Sequence, residues 1–374
     1  MKNFFNNYKI TINFLGIKIS IKNKLYAKSL CKKINKDIGK YKYVHVMHND
    51  KFNKSFVDFL NKNFDNNEHM ILCQKLFPDE PPRAFPKGNN VYEWATLDNI
   101  NFNTKNIKKI IFHELRPDYV DFLYQNKELL SKSFWTVWGG DLYWPPRDEK
   151  NDFVRSNLKG YLCSIDKEYA LNKYHMKGDF YEVHYPFSTV FNKNHKIKKR
   201  LKDEPVIIQV GKSGEPSNLE VFDFLAKFKN ENIKIRSTLS YCTRSNDDKE
   251  KILKKGFEIF GDKFEPLLDF LPPEDYTKYV SQNDILILNS DKQEGVGNVI
   301  LHLIHGAKIY VKSSISTFKY FNNKNVKIFD AYELNNISFE ELIKNEYAQQ
   351  NIENIKDFTD ENCLANLWKK VFTD

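Results

Sequence analysis

"VIIQVGKSGEPSNLEVFDFLAKF", residues 206–228, reads as a strand, a glycine-bearing turn and a helix. The apolar run 206–210 has the length of a buried strand, and 218–228 repeats apolar residues at helical spacing. Gly211 and Gly214 occupy the turn, with Ser217 or Asn218 at the helix N-cap. In an open parallel sheet such a turn lies in the crevice at the carboxyl ends of the strands. Glycines let backbone N–H groups approach a phosphate, and the helix N-terminus favours its negative charge. The spacing is neither GxGxxG nor a Walker loop, and a tight turn without any ligand satisfies the same pattern.

A second segment of the same kind follows. "NSDKQEGVGNVILHLIHGAKIYV" (289–311) ends a strand, turns through Gly295 and Gly297, and enters a helix near Asn298. Two such loops on one sheet can flank one diphosphate. The strands of this half are 206–210, 233–241, 284–289 and 308–311, and its helices 218–228, 248–260, 273–282 and 298–306.

Upstream the same alternation holds. Strands are expected at 41–48, 69–76, 107–113, 134–138, 160–165 and 180–187, with helices at 53–64, 117–130 and 167–175. Alternating strand and helix implies mostly parallel sheets covered on both faces. A chain of 374 residues exceeds one ordinary core. The expected organisation is therefore a basic arm (1–42), a Rossmann-like domain (43–191), a polar linker (192–205) and a second Rossmann-like domain (206–350). A C-terminal stretch (351–374), whose helix spans 361–372, can pack back across either domain, with the first as the expected one. The default ligand position in two doubly wound domains is a cleft between them.

Composition excludes several classes. Hydrophobic residues make up 41% and aromatics 15%, which is incompatible with a disordered chain. Cys31, Cys73, Cys163, Cys242 and Cys363 are scattered without a CxxC pair, as thiols of a reducing compartment are. No window reaches the roughly 18 apolar residues of a membrane span. Lys18 and Lys22 interrupt the N-terminal apolar run, and no small-residue cleavage site follows, so a cytoplasmic protein is expected. Residues 1–42 hold eleven lysines and one acid, Asp37, a net of +10 against +9 for the whole chain, so the basicity belongs to the arm. An anionic membrane face would attract such an arm at about 1 kcal/mol per lysine. A solvated lysine- and asparagine-rich segment is the bland alternative, and nucleic acid is not the expected partner. The alternation in "ITINFLGIKISIK" suggests an exposed hairpin or edge strand.

Glu294, Gly295 and Gly297 match the start of a signature of GT-B glycosyltransferases, with His302 where a second glutamate is usual. Four blocks in order, "IIFHELRP", "FWTVWGGDLY", "VGKSGEPSN" and "KQEGVGN", resemble the TDP-4-acetamido-4,6-dideoxygalactose:lipid II transferase family. This is the 4-alpha-L-fucosyltransferase family of enterobacterial common antigen synthesis. The resemblance covers roughly residues 43–370 and leaves the arm unexplained. It implies an α/β GT-B fold of two doubly wound domains facing a cleft, a TDP-activated amino-deoxysugar donor and a polyprenyl-diphosphate-linked acceptor. Such an enzyme would sit at the inner face of the bacterial inner membrane.

On that resemblance donor contacts fall to Gly211, Ser213, Gly214, Ser217, Asn218, Glu294, Gly295, Val296, Gly297, Asn298 and His302, with Tyr241, Phe270 and Leu271 near the base. A histidine cannot reproduce a bidentate carboxylate contact to ribose. A deoxyribose donor therefore tolerates His302 better, unless that ring merely faces the core. The transfer needs a base for the acceptor hydroxyl, and Asp141 and His113, each after a strand, are the candidates. Asp141 is equally suited to capping its turn. His48, Trp138, Gly139 and Gly140 are expected to shape the acceptor side, with Asp50 further back. His184, inside a strand pattern, reads as structural. No DxD metal motif stands at a strand end, and Asp247 and Asp248 suit helix capping, so neither metal nor other cofactor is expected.

Two other classes compete. A nucleotide-dependent oxidoreductase or epimerase would carry GxGxxG after its first strand, but "VHVMHNDKFN" has no glycine. A non-catalytic polyanion-binding module led by the arm would bind without turnover. Within the transferase class, another nucleotide sugar is the alternative donor.

Overall fold

The computed structural model describes residues 9–14, 17–22, 24–48, 50, 52–74, 85–186, 197, 200–201, 203–240 and 246–373. The chain forms two compact units, Met1–Pro186 with Ala365–Asp374, and Phe187–Leu364. Most of the expected linker lies outside the described residues, as does Tyr241.

In the arm, β1 (Lys9–Phe14) and β2 (Ile17–Lys22) pair antiparallel, with Ile10 opposite Ile21, and the helix Lys24–Asp37 follows. The first unit is built on seven strands: β3 (Tyr43–His48), β4 (His69–Gln74), β5 (Val91–Trp94), β6 (Lys109–Phe112), β7 (Ser133–Thr136), β8 (Gly160–Leu162) and β9 (Asp179–Tyr181). Their order is β5-β4-β3-β6-β7-β8-β9, all parallel. Strands β4, β6 and β7 are buried along their full length, the pattern of a sheet covered on both faces. The core gathers around Val44, Val46, Ile110, Phe112, Tyr119 and Trp135.

The second unit repeats the plan. Its strands are β10 (Val206–Val210), β11 (Ile233–Thr238), β12 (Phe264–Leu267), β13 (Ile285–Leu288), β14 (Lys308–Val311) and β15 (Phe329–Asp330). They run parallel in the order β12-β11-β10-β13-β14-β15. Both sheets therefore begin in the middle, grow outward one way, then return to the other side of the first strand. Such an order reverses its winding between the first and fourth strands, and ligands bind where it does so. The reversal lies between β3 and β6 in one unit and between β10 and β13 in the other.

The last helix, Glu361–Thr373, contributes its residues from Ala365 onward to the first unit. Trp368 is fully buried and donates from its indole to the His184 carbonyl at 3.0 Å. The Phe372 and Val371 carbonyls, left without partners at a helix C-terminus, accept from Tyr43 Oη and Lys109 Nζ.

Candidate functional site

In the second unit the residues at the β10–β13 reversal line one small cavity. It is bounded by Gly211–Ser213, Glu215, Ser217 and Asn218 on one side and by Leu288–Ser290, Lys292 and Glu294 on the other. Gly211 has φ +72, and a Cβ there would meet the Asn218 amide at 2.5 Å. Gly295 has φ +68, and a Cβ there would meet the Lys212 stem at 2.8 Å. Both turns thus require glycine for conformation and for close approach. The helices Ser217–Leu225 and Val296–Ile304 begin directly after them.

Lys212 lies between these turns. Its ammonium is 3.0 Å from Glu294 and 3.4 Å from Glu215. Burial lowers its pKa, but the two carboxylates outweigh burial and hold it above the ordinary lysine value. Glu215 and Glu294 interact with each other as well; burial raises the Glu294 carboxyl, while Glu215 is held low, against burial, by its contacts with Glu294, Lys212 and Ser213. Ser213, fully buried, donates to Glu215 at 3.1 Å. Asn289, almost fully buried, donates to Glu220 at 2.7 Å, while its Oδ1 has no hydrogen-bond partner among the described residues. The arrangement can exchange internal carboxylates for an external anion at Lys212 and offers a free acceptor to a hydroxyl beside it. Neither Lys212 nor Asn289 was singled out by the sequence, although Lys212 adjoins Gly211 and Asn289 directly follows β13.

The other expected donor residues divide. Gly214 is buried in the first loop and Asn218 in the first turn of the helix after it, where Asn218 donates to the Ser213 carbonyl at 2.8 Å. Val296 and Gly297 open the second helix, and Asn298 accepts from Tyr276 Oη at 2.6 Å. His302 is fully buried away from the cavity. Its Nδ1 donates to the Asn298 carbonyl at 2.7 Å and its Nε2 accepts from Asn283 at 3.1 Å. Burial pulls its pKa down to about 4. Phe270 is 66% exposed and Leu271 half-buried on the loop before the helix Pro273–Val280, and neither lines the cavity.

In the first unit period-two alternation builds a row of imidazoles. His45 pairs in register with Ile71 on β4 and Ile111 on β6. His69 and His113 are each two residues from those partners, so all three rings share one face. His45 bonds His113 at 2.8 Å through Nδ1 and His69 at 3.1 Å through Nε2, and Tyr185 Oη bonds His113 Nδ1 at 3.0 Å. Burial drives all three toward the neutral form, to about 4 for His69, about 3 for His113, and well below the ordinary value for His45. Neutral rings in a row donate at one nitrogen and accept at the other, so the chain is satisfied in either direction. His113, buried and bonded at both nitrogens, is tied into this row; Tyr185 stands at its end, under Trp138, Phe52 and Phe56.

Asp141 ties two loops together. It sits on the short helix Gly139–Tyr143, and its carboxylate accepts from Trp138 N (2.8 Å), Leu115 N (2.7 Å) and Trp135 Nε1 (2.6 Å). Burial nevertheless outweighs these bonds and raises its pKa to about 6. Three donors on one carboxylate fix the exit of β7 against the exit of β6. Beside it stands Glu114, which the sequence did not single out. Its φ of +139 is a conformation that side-chain-bearing residues rarely adopt, and burial pushes its carboxyl to about 7. Trp138 stacks on Phe52 at 5.3 Å, and its buried Nε1 has no hydrogen-bond partner among the described residues. His48 bonds Gln74 at 3.1 Å on the neighbouring strand; Gly139 begins the short helix and Gly140 faces open space. Asp50 follows β3. His184 is buried in the core.

No known family profile matches the chain. Solved structures resemble it over most of its length. A glycosyltransferase from Rickettsia africae is 10% identical with a TM-score of 0.63, over 89% of this chain and 98% of that one. An alpha,alpha-trehalose-phosphate synthase (UDP-forming) from Burkholderia vietnamiensis is 8% identical with a TM-score of 0.59, over 88% and 99%. Sucrose-phosphate synthase from Thermosynechococcus elongatus is 9% identical with a TM-score of 0.60, over 88% and 98%. At such identities the likeness is one of fold, and the fold is the expected one: α/β, GT-B, with two doubly wound parallel sheets.

Proposed function

We propose that the protein is a glycosyltransferase whose second unit holds a nucleotide sugar and whose first unit receives the acceptor. The observation that carries this reading is Lys212, a half-buried cation held by Glu215 and Glu294 between two glycine turns at the sheet's reversal. A diphosphate bound there would replace the two carboxylates as partner of the ammonium and face the N–H groups of two helix N-termini. Those groups would stabilise the leaving diphosphate without a metal ion, so turnover in the presence of a chelator is expected.

The finer reading is transfer of an acetamido-deoxyhexose from a TDP-sugar to a polyprenyl-diphosphate-linked glycan, supported by the four sequence blocks; His302, buried away from the cavity, lends it no support. The lysine-rich arm then serves as contact with the inner face of the inner membrane; among the described residues no helix is long and apolar enough to cross it. A UDP-sugar is the alternative donor, favoured by the likeness to a UDP-forming synthase. Calorimetric titration of the full chain with TDP, UDP and thymidine distinguishes the cases. TDP binding at least about tenfold tighter than UDP is the expected result. Preference for UDP overturns the donor assignment, and failure to bind either overturns the function.

A further inference from the structure

The first unit contains a cavity of about 870 Å³ whose wall includes Gly140 and Asp141 together with residues given no role above. It opens beside the exits of β6 and β7, between the start of the helix Pro117–Gln125 and the start of the helix Glu149–Asn157. We propose that this cavity binds an uncharged saccharide, the glycan portion of the acceptor. The proposal rests on the glycosyltransferase reading and adds to it the place where the glycan is held and the residues that hold it.

Three observations select that class. Trp144 lines the cavity and is 60% exposed, followed by Pro145 and Pro146. An exposed indole beside two rigid rings is an apolar platform matched to the C–H face of a pyranose. Five carboxylates and three cations line the same cavity, and the cations are largely answered already. Lys150 pairs with Asp121 at 2.7 Å, and Arg116 lies 3.3 Å from Asp118 and 3.7 Å from Glu114. A phosphate would meet this excess of negative charge, and a purely apolar ligand would leave the polar groups dry. A polyol satisfies both, because hydroxyls donate to carboxylates while the ring stacks.

The third observation is local. Glu114 is held at φ +139 at the cavity wall, and the fully buried Arg155 lines it with an Nε that has no hydrogen-bond partner among the described residues. Strain at a side-chain-bearing residue and an unanswered buried donor are features that a ligand would account for. The volume falls within the several hundred Å³ that small-molecule ligands occupy.

The test presents the full chain to an immobilised array of uncharged oligosaccharides and, in parallel, of sugar phosphates, using wild type, Trp144→Ala, Trp144→Phe and Glu114→Gln. TDP and UDP affinities are measured on the same preparations. Expected is binding of uncharged oligosaccharides, weakened about tenfold or more by Trp144→Ala and largely kept by Trp144→Phe, with nucleotide affinity unchanged in every variant. No oligosaccharide bound, binding indifferent to Trp144→Ala, or preference for sugar phosphates overturns the proposal. Nucleotide binding without glycan binding would reject this cavity and leave the transferase reading standing. Glycan binding without nucleotide binding would do the reverse.

Discussion

Replacing Glu114 with glycine should stabilise the first unit, and by more at alkaline than at acid pH. Two terms contribute. A residue with a side chain at φ +139 carries of order 1–3 kcal/mol of backbone strain, which glycine does not. Glycine gives back about 0.5–1 kcal/mol through the entropy of the unfolded chain. The second term is charge. Burial raises the Glu114 carboxyl from 4.5 to about 7, so the folded chain holds this proton more tightly than the unfolded one. Stability is therefore greatest below pH 4.5 and declines as pH rises toward 7, by at most about 3 kcal/mol. The side chain is 31% exposed, and solvent screening reduces that figure by roughly half. Glu114→Gly should gain about 1 kcal/mol at pH 5 and about 2–3 kcal/mol at pH 8. Glu114→Gln keeps the strain and should gain only the alkaline part.

The assay follows from the sequence. All five tryptophans, Trp94, Trp135, Trp138, Trp144 and Trp368, belong to the first unit, so indole fluorescence in urea reports that unit alone. Midpoints are compared for wild type and both variants at pH 5 and pH 8. A less stable Glu114→Gly, or equal gains at the two pH values, refutes the reasoning. If Glu114 is kept in a costly conformation for the ligand, the more stable variant should also be the poorer glycan binder.

Three further outcomes are expected. Because burial holds His45, His69 and His113 neutral in the folded state, their contribution is present above pH 6.5 and is lost as pH falls below it, at up to about 1.4 kcal/mol per pH unit for each ring. Urea midpoints between pH 7 and 5 should drop steeply, and His69→Phe should flatten the drop by about one proton's worth. Lys212→Ala should weaken TDP binding by about tenfold or more in calorimetry, the value of a lost charge-assisted contact, and leave thymidine unaffected. Trp368→Ala should cost about 3–5 kcal/mol by far-ultraviolet dichroism, since it empties a fully buried site and frees the His184 carbonyl.

The parts of the fold legible in the sequence were those whose cause is local. Strands β3, β4, β6, β10 and β13 are apolar runs bounded by polar or glycine-rich turns, because both of their faces are covered. Strands β5, β12 and β15 escaped notice, and all three lie at sheet edges. They span two to four residues, and β12 contains Pro266, which a central strand would not tolerate. Their existence depends on the neighbour they pair with, which no local pattern records.

The candidate site divides along the same line. Gly211, Gly295, Asp141 and His113 were visible because glycines, a carboxylate among tryptophans and a histidine after a strand are rare in their surroundings. Lys212 was hidden among 58 basic residues, and only its two carboxylate partners distinguish it. His45 and His69 looked like ordinary strand residues until parallel register put them in one row with His113. Glu114 is the extreme case, since its mark is a backbone angle and not a residue type. In the "WGGDLYWPP" block the sequence drew attention to Asp141, whose three hydrogen bonds make it the fastening of two strand exits. The groups that fastening sets at the cavity are its neighbours, Glu114 before it and Trp144 after it. A residue with every oxygen engaged by its own chain orients others. A strained or exposed residue beside it is where a ligand finds something left to bind.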